Sequence, residues 1–396
     1  MDNFVTLWPW LLLLLPVAYL FGWLKGRSTG KPDNENCPKS LSSDYFKGLN
    51  YLLADQQDRA LPVFLRLVQV DNETIDTHLA LATIYRRSGN YDKAIEVHQN
   101  LIARPSLSSR YRSKALLELG RDYLAAGLFD RAEGLFNDVI KSGFYEQQAR
   151  QYMLTIFQQE KEWNEAINIT KDLIQQGESS LRPIIAQFYC ELSDQFFLKG
   201  NLKQAEKAVK DALSYDAGCI RAMINRLRHA IASKNYKKAI KEIKTIEQTD
   251  AEYFPAILHE CIESYRESGK IDQLIDYLKS VEKRYPDLRL METIVNLLME
   301  IKGDDSALQY LQERLLMTPN INGLASYIKL MNKNTPFSGN QYFQEIRNVV
   351  DKMKQTMNQY QCGKCGYISG TLNWQCPSCH DWGKIKPLIG NMNAKN

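Results

Sequence analysis

The chain has 396 residues, which is long for one hydrophobic core and suits two or three domains or an extended repeat array. Its apolar and charged fractions are those of ordinary globular proteins, which excludes wholesale disorder. The formal net charge of +4 is small, and no basic run is interleaved with aromatic residues. The sequence therefore predicts no nucleic-acid partner.

The first segment of the chain is strongly apolar, and residues 4–24 carry no charged side chain. As a helix this segment would be about 30 Å long, enough to cross the hydrocarbon core of a membrane. A cleaved signal peptide is the alternative, but no basic residue precedes the segment and no small-residue cleavage site follows it. We therefore predict an uncleaved, single-pass transmembrane anchor at residues 1–24.

Basic residues follow the predicted anchor directly, at Lys25, Arg27 and Lys31. The positive-inside rule then places the N-terminus outside the cytoplasm and everything after residue 25 inside it. Residues 25–40 are rich in Gly, Pro, Ser and Asn, which is typical of a flexible linker. Four scattered cysteines without a pairing pattern also favour a reducing compartment. They are Cys37, Cys190, Cys219 and Cys261.

Residues 41–335 contain a repeating signature. An alanine recurs at gaps of 34, 38, 34, 39 and 34 residues, and Leu274 and Ala307 continue the series at 35 and 33. The alanines are Ala60, Ala94, Ala132, Ala166, Ala205 and Ala239. In most repeats an aromatic residue stands nine positions before the alanine, and a glycine often stands five positions before it. Repeats of this length are typical of stacked helical hairpins.

The phased positions have one physical explanation in a helix–turn–helix unit. A small residue twelve positions before the alanine, such as Gly48 or Gly120, lets the first helix approach the second closely. The alanine does the same from the second helix, and the glycine between the helices suits a helix end. The pattern resembles the tetratricopeptide repeat, and we predict about eight units. A non-repeating helical bundle is the alternative, which the phasing of several residue types disfavours.

Tetratricopeptide arrays commonly bind peptides or proteins on the face lined by the first helix of each unit, an argument that passes from fold to function by analogy. Polar residues on those predicted helices are therefore candidate partner contacts. They are Asn50, His78, Arg86, Glu118, Arg121, Asp122 and Tyr189. For any single one of them, a solvated position on a helix is the simpler explanation.

The C-terminal segment holds four cysteines in two C-x-x-C pairs, Cys362 with Cys365 and Cys376 with Cys379. Each pair turns back on itself, so that two pairs supply four thiolates for one tetrahedral metal ion. In so short a segment the metal must supply much of the folding energy. We expect four aromatic side chains to pack around this site and keep water out. They are Tyr360, Tyr367, Trp374 and Trp382.

Two alternatives to a metal site are weaker. A redox C-x-x-C pair would need a thioredoxin-like βαβ pattern, which surrounds neither pair, and the predicted cytoplasmic location disfavours a disulfide. The phrase CGKCGY at 362–367, followed by CPSC at 376–379, resembles rubredoxin knuckles, which hold iron. The same sulfur set suits zinc, so the metal is iron or zinc. A rubredoxin has a longer segment between its knuckles, which favours a structural role here over electron transfer.

The remaining boundaries follow from these assignments. Residues 336–359 include an amphipathic pattern and are predicted to form a helix that connects the array, residues 41–335, to a metal-binding domain at 360–396. No phosphate loop, nucleophile elbow or His-Glu-x-x-His motif occurs in the array, and its histidines are isolated. The sequence therefore favours a non-enzymatic protein.

The three parts together resemble the lipopolysaccharide assembly protein B family of Gram-negative bacteria. The resemblance is strongest in GRDYLAAGLFDRAE at 120–133, QFYCEL at 187–192 and WQCPSC at 374–379, with IKP at 385–387. It implies an all-α fold: a superhelical tetratricopeptide solenoid with an N-terminal transmembrane helix and a small rubredoxin-like knuckle domain with four cysteine ligands.

The resemblance also implies a function, that of an inner-membrane adaptor that regulates the synthesis of lipopolysaccharide and its lipid A. Such adaptors help the FtsH membrane protease to degrade the deacetylase that commits precursors to lipid A. They also contact other lipopolysaccharide assembly and signalling proteins of the membrane. Two alternatives are an electron-transfer protein with an iron centre in the knuckle and a general scaffold for envelope assembly. A homodimer is left open.

Overall fold

The computed structural model describes residues 43–70, 75–288, 290–317, 321–334, 345, 348–350 and 360–388. The anchor predicted at 1–24, the linker at 25–40 and most of the connecting helix at 336–359 lie outside these residues. Of the helices that are described, none combines the length and the hydropathy that a membrane crossing requires. The chain divides into two compact units, residues 1–145 and 146–396.

The described residues of the first unit form three helical hairpins. Their helices are α1 (Ser43–Leu53), α2 (Gln57–Val70), α3 (Ile75–Arg87), α4 (Tyr91–Ile102), α5 (Ser109–Ala125) and α6 (Phe129–Ser142). The phased alanines Ala60, Ala94 and Ala132 lie on the second helix of each hairpin and are fully buried. A small side chain at this position lets the two helices pack closely.

Glycine on the first helix completes the close approach within a hairpin. A Cβ atom on Gly120 would lie 2.5 Å from the ring of Phe136, and one on Gly48 would lie 2.7 Å from the ring of Phe64. Packed interiors do not tolerate contacts this short without a shift of the neighbouring atoms. The predicted role of these two glycines is therefore confirmed.

The part of the second unit that the structure describes has the same plan, with five hairpins and a further helix before the knuckle. Its helices are α7 (Glu146–Glu160), α8 (Trp163–Gln175), α9 (Arg182–Leu198), α10 (Leu202–Tyr215), α11 (Ile220–Ala232), α12 (Tyr236–Thr249), α13 (Leu258–Glu267), α14 (Ile271–Arg284), α15 (Met291–Lys302), α16 (Asp304–Met317) and α17 (Ile321–Asn334). Short 3₁₀ segments lie at Ser179–Leu181, Ala251–Ile257 and Pro286–Leu288. One continuous apolar core runs from α11 to α17. The predicted helical repeat fold is confirmed.

In the hairpins from α1/α2 to α13/α14, the turn uses a residue with positive φ five positions before the phased position. Glycine takes this position in the turns predicted from Gly89, Gly127, Gly200 and Gly269, all with positive φ. Lys161 and Lys234 take it in two other hairpins, with φ of 59° and 56°. A helix that ends in this conformation satisfies its last carbonyl groups, which explains why the turn recurs.

The C-terminal residues form a small antiparallel sheet of three strands, β1 (Tyr360–Cys362), β2 (Ile368–Ser369) and β3 (Ile385–Pro387), in the order β2-β1-β3. Tyr360 pairs with Ser369 on one side and with Pro387 on the other. The predicted class, all-α with a knuckle domain, did not include this sheet. Strands of two or three residues are too short to show the alternating pattern from which strands are predicted.

Candidate metal centre and its seat on the helical array

The four predicted ligands meet at one point. The Sγ atoms of Cys362, Cys365, Cys376 and Cys379 all lie within 4.8 Å of one another. The Cys362–Cys379 pair is separated by 3.8 Å and the Cys365–Cys376 pair by 3.6 Å. Zn–S bonds of about 2.3 Å place the sulfurs of a tetrahedral site about 3.8 Å apart. The donor set therefore fits a single tetrahedral metal ion.

The two C-x-x-C turns have the same backbone geometry. In the first, the N–H of Gly366 donates to the carbonyl of Cys362 (3.0 Å), whose own N–H donates to the carbonyl of Tyr367 (2.8 Å). The second turn repeats both bonds, each at 2.9 Å, with Cys376, His380 and Asp381 in the equivalent places. Gly366 and His380 both have the left-handed conformation that this turn demands, with φ of 76° and 57°.

Backbone N–H groups also favour the ionised sulfur that a metal requires. The N–H of Tyr367 donates to Cys365 and lowers the pKa of its thiol to about 6. A lower pKa favours the thiolate, which is the form that binds metal. Cys362 and Cys376 are buried, whereas Cys365 is exposed. One ligand of the site therefore faces solvent.

The knuckle domain packs against the helices of the second unit through Trp382. The Trp382 ring meets those of Trp163 and Phe188 edge-to-face, with centroid distances of 6.1 and 5.8 Å. Its indole N–H donates to Oε1 of Gln158 (3.2 Å). Edge-to-face aromatic contacts of this kind stabilise beyond the area that they bury.

Trp374 makes a second contact with the same unit. Its ring stacks on Tyr253 at a centroid distance of 5.9 Å, and the Arg221 guanidinium lies 5.8 Å from the Trp374 ring centroid. Glu191 and Asp194 hold that guanidinium at 2.9 and 2.7 Å. A cation over an indole ring is attracted by the negative face of the ring. We call the residues of the second unit that contact Trp374, Trp382 and β3 the knuckle seat. They are Gln158, Trp163, Phe188, Arg221, Asp250, Glu252 and Tyr253.

Strand β3 contributes polar contacts to the knuckle seat. The Tyr253 hydroxyl donates to the carbonyl of Ile385 (3.1 Å), and burial raises the pKa of this tyrosine to about 12. Lys386 Nζ binds Glu252 (2.7 Å) and Asp250 (3.2 Å). The hydrogen bond with Glu252 is the main cause that raises the pKa of Lys386. The knuckle is thus attached by aromatic, neutral and charged contacts together.

The prediction that Trp374 and Trp382 pack around the metal site is wrong. Both rings contact the helical unit instead, where their apolar area is removed from water. Tyr367 is 37% exposed and is not part of the buried cluster around the cysteines. Tyr360 does pack against the cysteine cluster, as expected.

The polar residues predicted on the first helices of the first unit mostly bind one another. Asp122 is fully buried, accepts a hydrogen bond from Arg86 (2.7 Å) and contacts Nδ1 of His98 (2.5 Å). Arg86 also pairs with Glu118 at 2.8 Å, and Arg121 pairs with the same carboxylate at 2.7 Å. Buried charges are stable only when they are paired in this way. Arg86 and Asp122 therefore join α3, α4 and α5 and are not available for a partner.

Two further candidates are also engaged inside the array. His78 is buried and bonds to Arg104 (3.0 Å), while Tyr189 stacks on Tyr215 at a centroid distance of 5.8 Å. Asn50 is exposed. The expectation of a partner contact is therefore wrong for His78 and Tyr189 and stays a prediction for Asn50.

An open groove lies between α13 and α15, with a volume of about 580 Å³. Glu263, Glu267 and Glu300 line it together with His259 and Arg266. Arg266 is paired with Glu300 at 2.8 Å, so two carboxylates remain in excess over the arginine. No sequence pattern predicts this groove, because isolated charges are ordinary on solvated helix faces.

Two of the cysteines outside the knuckle lie close together in the structure, although the sequence shows no pairing pattern for them. Cys190 on α9 and Cys219 just before α11 have Sγ atoms 4.0 Å apart. Both are free, buried thiols. Their spacing in sequence matches no disulfide or metal motif, so only the packing of α9 against α11 reveals the pair.

Comparison with known proteins points to the same architecture. Residues 360–387 match the family described as Rubredoxin metal binding domain, and residues 77–108 match the Tetratricopeptide repeat family. Lipopolysaccharide assembly protein B of Escherichia coli strain K12 is 33% identical to this chain over 96% of the chain and 98% of its own length. The protein of the same name from Haemophilus influenzae is 29% identical over 96% and 98%.

Proposed function

Because the chain belongs to the lipopolysaccharide assembly protein B family, we propose that it is a non-enzymatic adaptor that regulates lipopolysaccharide synthesis at the bacterial inner membrane. The observation that carries this proposal is the match to that family along 96% of the chain. A helical repeat array with an open groove between α13 and α15 supports it, because such arrays offer extended binding surfaces.

The proposed clients are an FtsH-type membrane protease and the deacetylase of the committed step of lipid A synthesis. An anchor at residues 1–24 would hold the array in the cytoplasm beside a protease that is itself in the membrane. The adaptor then raises the local concentration of the deacetylase at the protease without doing chemistry on it. Other lipopolysaccharide assembly and signalling proteins of the inner membrane are further partners in this proposal.

The groove between α13 and α15 is the proposed contact for one client segment. The carboxylates of Glu263 and Glu267 are not paired with the groove's arginine, which binds Glu300. A peptide segment that carries Lys or Arg complements this charge, and complementary charges increase both the rate and the specificity of association.

The knuckle is proposed to hold one zinc or iron ion in a structural role through Cys362, Cys365, Cys376 and Cys379. When bound, the metal holds the four thiolates together and supplies folding energy to a domain too small for a core. The packed contacts of Trp374 and Trp382 with the array support this role, since they depend on a folded knuckle. The exposed Cys365 ligand is the observation that favours the alternative, electron transfer through an iron centre.

Cross-linking and affinity purification from membranes test the adaptor proposal. The full chain, a chain without residues 1–24 and the Glu263→Lys variant would be compared, with Glu165→Lys on the exposed face of α8 as the matched charge-reversal control. We expect the full chain and the control to recover the protease and the deacetylase. The chain without residues 1–24 should lose the protease, and Glu263→Lys should lose one client.

The proposal fails if the full chain recovers neither the protease, nor the deacetylase, nor any lipopolysaccharide factor. Equal recovery by Glu263→Lys and Glu165→Lys would remove the groove from the proposal and leave the adaptor role intact. A red, iron-loaded protein with reversible redox chemistry that is needed for activity would favour electron transfer instead.

A further inference from the structure

Two thiols outside the metal centre lie within reach of each other. The Sγ atoms of Cys190 and Cys219 are 4.0 Å apart, and a disulfide requires about 2.05 Å. Cys190 lies in the middle of α9, whereas Cys219 is the residue before α11 and has an extended backbone. A movement of about 2 Å by the residue at the helix start closes the gap. Cys261 is also buried in this unit.

The two sulfurs differ in reactivity. The hydrogen bond with Cys190 and the backbone N–H of Ala222 lower the pKa of the Cys219 thiol, although burial opposes them. Burial raises the pKa of Cys190. Cys219 is 3% exposed and Cys190 is fully buried. The sulfur that ionises more easily and is less completely buried is the one expected to react first with an oxidant, and its buried neighbour is placed to resolve the product.

The thiol pair lies beneath the knuckle seat. Gln187 donates from Nε2 to the Sγ of Cys219 (3.5 Å), and the same Nε2 lies 3.7 Å from where a Cβ on Gly383 of the knuckle would be. The guanidinium of Arg221, two residues after Cys219, lies 5.8 Å from the ring centroid of Trp374. A change in the position of Cys219 would therefore alter two contacts of the knuckle. One is the contact of Gln187 with Gly383, and the other is the contact of Arg221, in the first turn of α11, with Trp374.

We propose that Cys190 and Cys219 form a redox-active dithiol that peroxide converts to a disulfide, and that this modification loosens the docking of the knuckle. The Cys219 thiolate attacks hydrogen peroxide, which breaks the O–O bond, forms a sulfenic acid and releases hydroxide, which becomes water on protonation. The Cys190 thiol then attacks that sulfur, forms the S–S bond and releases a second water. Two thiols are oxidised and one peroxide is reduced.

The test treats the metal-loaded full chain with hydrogen peroxide, blocks the remaining thiols by alkylation and maps the peptides by mass spectrometry. We expect one linked pair, the peptides that carry Cys190 and Cys219, and its loss on treatment with dithiothreitol. In Cys190→Ala, dimedone should trap a sulfenic acid at Cys219. In Cys219→Ser, Cys190 should remain a free thiol. Cys261→Ser is the matched control and should form the disulfide as the native chain does.

Hydrogen exchange of the knuckle is measured on the same samples. Oxidation should increase exchange in β3, Ile385–Pro387, and reduction should restore it. The dithiol assignment is overturned if both thiols of the native chain stay alkylatable while peroxide fully oxidises an added small thiol, or if the bridges formed involve the knuckle cysteines. A Cys190–Cys219 disulfide without any change of exchange in β3 would overturn the effect on docking.

Discussion

At the scale of single residues, the packing of this protein follows from positions that only small side chains can occupy. The alanine and glycine phases could be predicted from the sequence, because a small residue at a helix crossing recurs in most units. The turns of Lys161 and Lys234 could not, since a lysine at a left-handed position carries no signal in sequence. Their conformation is imposed by the hairpin that surrounds them.

Gly120→Ala tests the close approach of α5 and α6. The added methyl group would meet Phe136 at 2.5 Å, so we expect a loss of about 1–3 kcal/mol in the free energy of unfolding. Gly134→Ala is the matched control: it lies on α6 with nothing within 4 Å of an added Cβ, and it should stabilise by about 0.5–1 kcal/mol. Urea unfolding of both variants measures the difference. Equal effects would contradict the close packing of the two helices.

At the scale of elements, the metal centre could be predicted from the sequence but its seat could not. The four cysteines are close in sequence, so their spacing was enough to predict that they form one site. The hydrogen bond from Trp382 to Gln158 joins residues 224 positions apart, and no local sequence pattern predicts such a contact. His78, Arg86 and Asp122 are engaged inside the array for the related reason that a helical period does not show which polar residues the neighbouring helix will bury.

Trp382→Ala tests the docking of the knuckle. Loss of the contacts with Trp163, Phe188 and Gln158 should weaken docking by about 2–4 kcal/mol and leave the cysteine cluster able to bind metal. Hydrogen exchange should rise in α7, α8 and α9, with the metal content unchanged. Tyr367→Ala is the control, because this aromatic side chain of the same domain is 37% exposed. If the α9 amides of Trp382→Ala stay as protected from hydrogen exchange as in the native chain, the docking of the knuckle on α9 is contradicted.

Alkaline pH should weaken the knuckle seat through Tyr253. Its pKa is about 12 in the folded protein, because burial disfavours the ionised form, and about 10 in an unfolded chain. The folded state thus retains a proton that the unfolded state loses between these values, so this stabilisation is complete below pH 10 and falls as the pH rises towards 12.

Tyr253→Phe removes this group and isolates its share of the pH dependence. Between pH 9.5 and 11.5 we expect the native chain to lose about 1–2 kcal/mol more stability than the variant. Other buried tyrosines, such as Tyr265 with a pKa of about 12, contribute equally to both proteins. Denaturant midpoints across this range measure the difference, and parallel curves would show that Tyr253 stays un-ionised or is solvated in the folded state.

At the scale of the whole molecule, the chain combines a repeat array with a knuckle attached to that array. The fold class could be predicted because repetition amplifies weak local signals over many units. The partners could be named only through the family resemblance, since nothing in a groove lined by glutamates specifies one protein. In the proposed adaptor role, the anchor expected at residues 1–24, the groove and the knuckle seat would all be needed at once, because each would support delivery of a client to a protease.

The lifetime of the deacetylase tests the adaptor role most directly. In a Gram-negative bacterium that lacks its own copy of this protein, the half-life of the deacetylase would be measured after synthesis is stopped, with the native chain, Trp382→Ala or an empty vector supplied. We expect the native chain to shorten the half-life in a manner that depends on the membrane protease, and Trp382→Ala to shorten it less. A half-life that is the same with the native chain and with the empty vector would contradict the adaptor function.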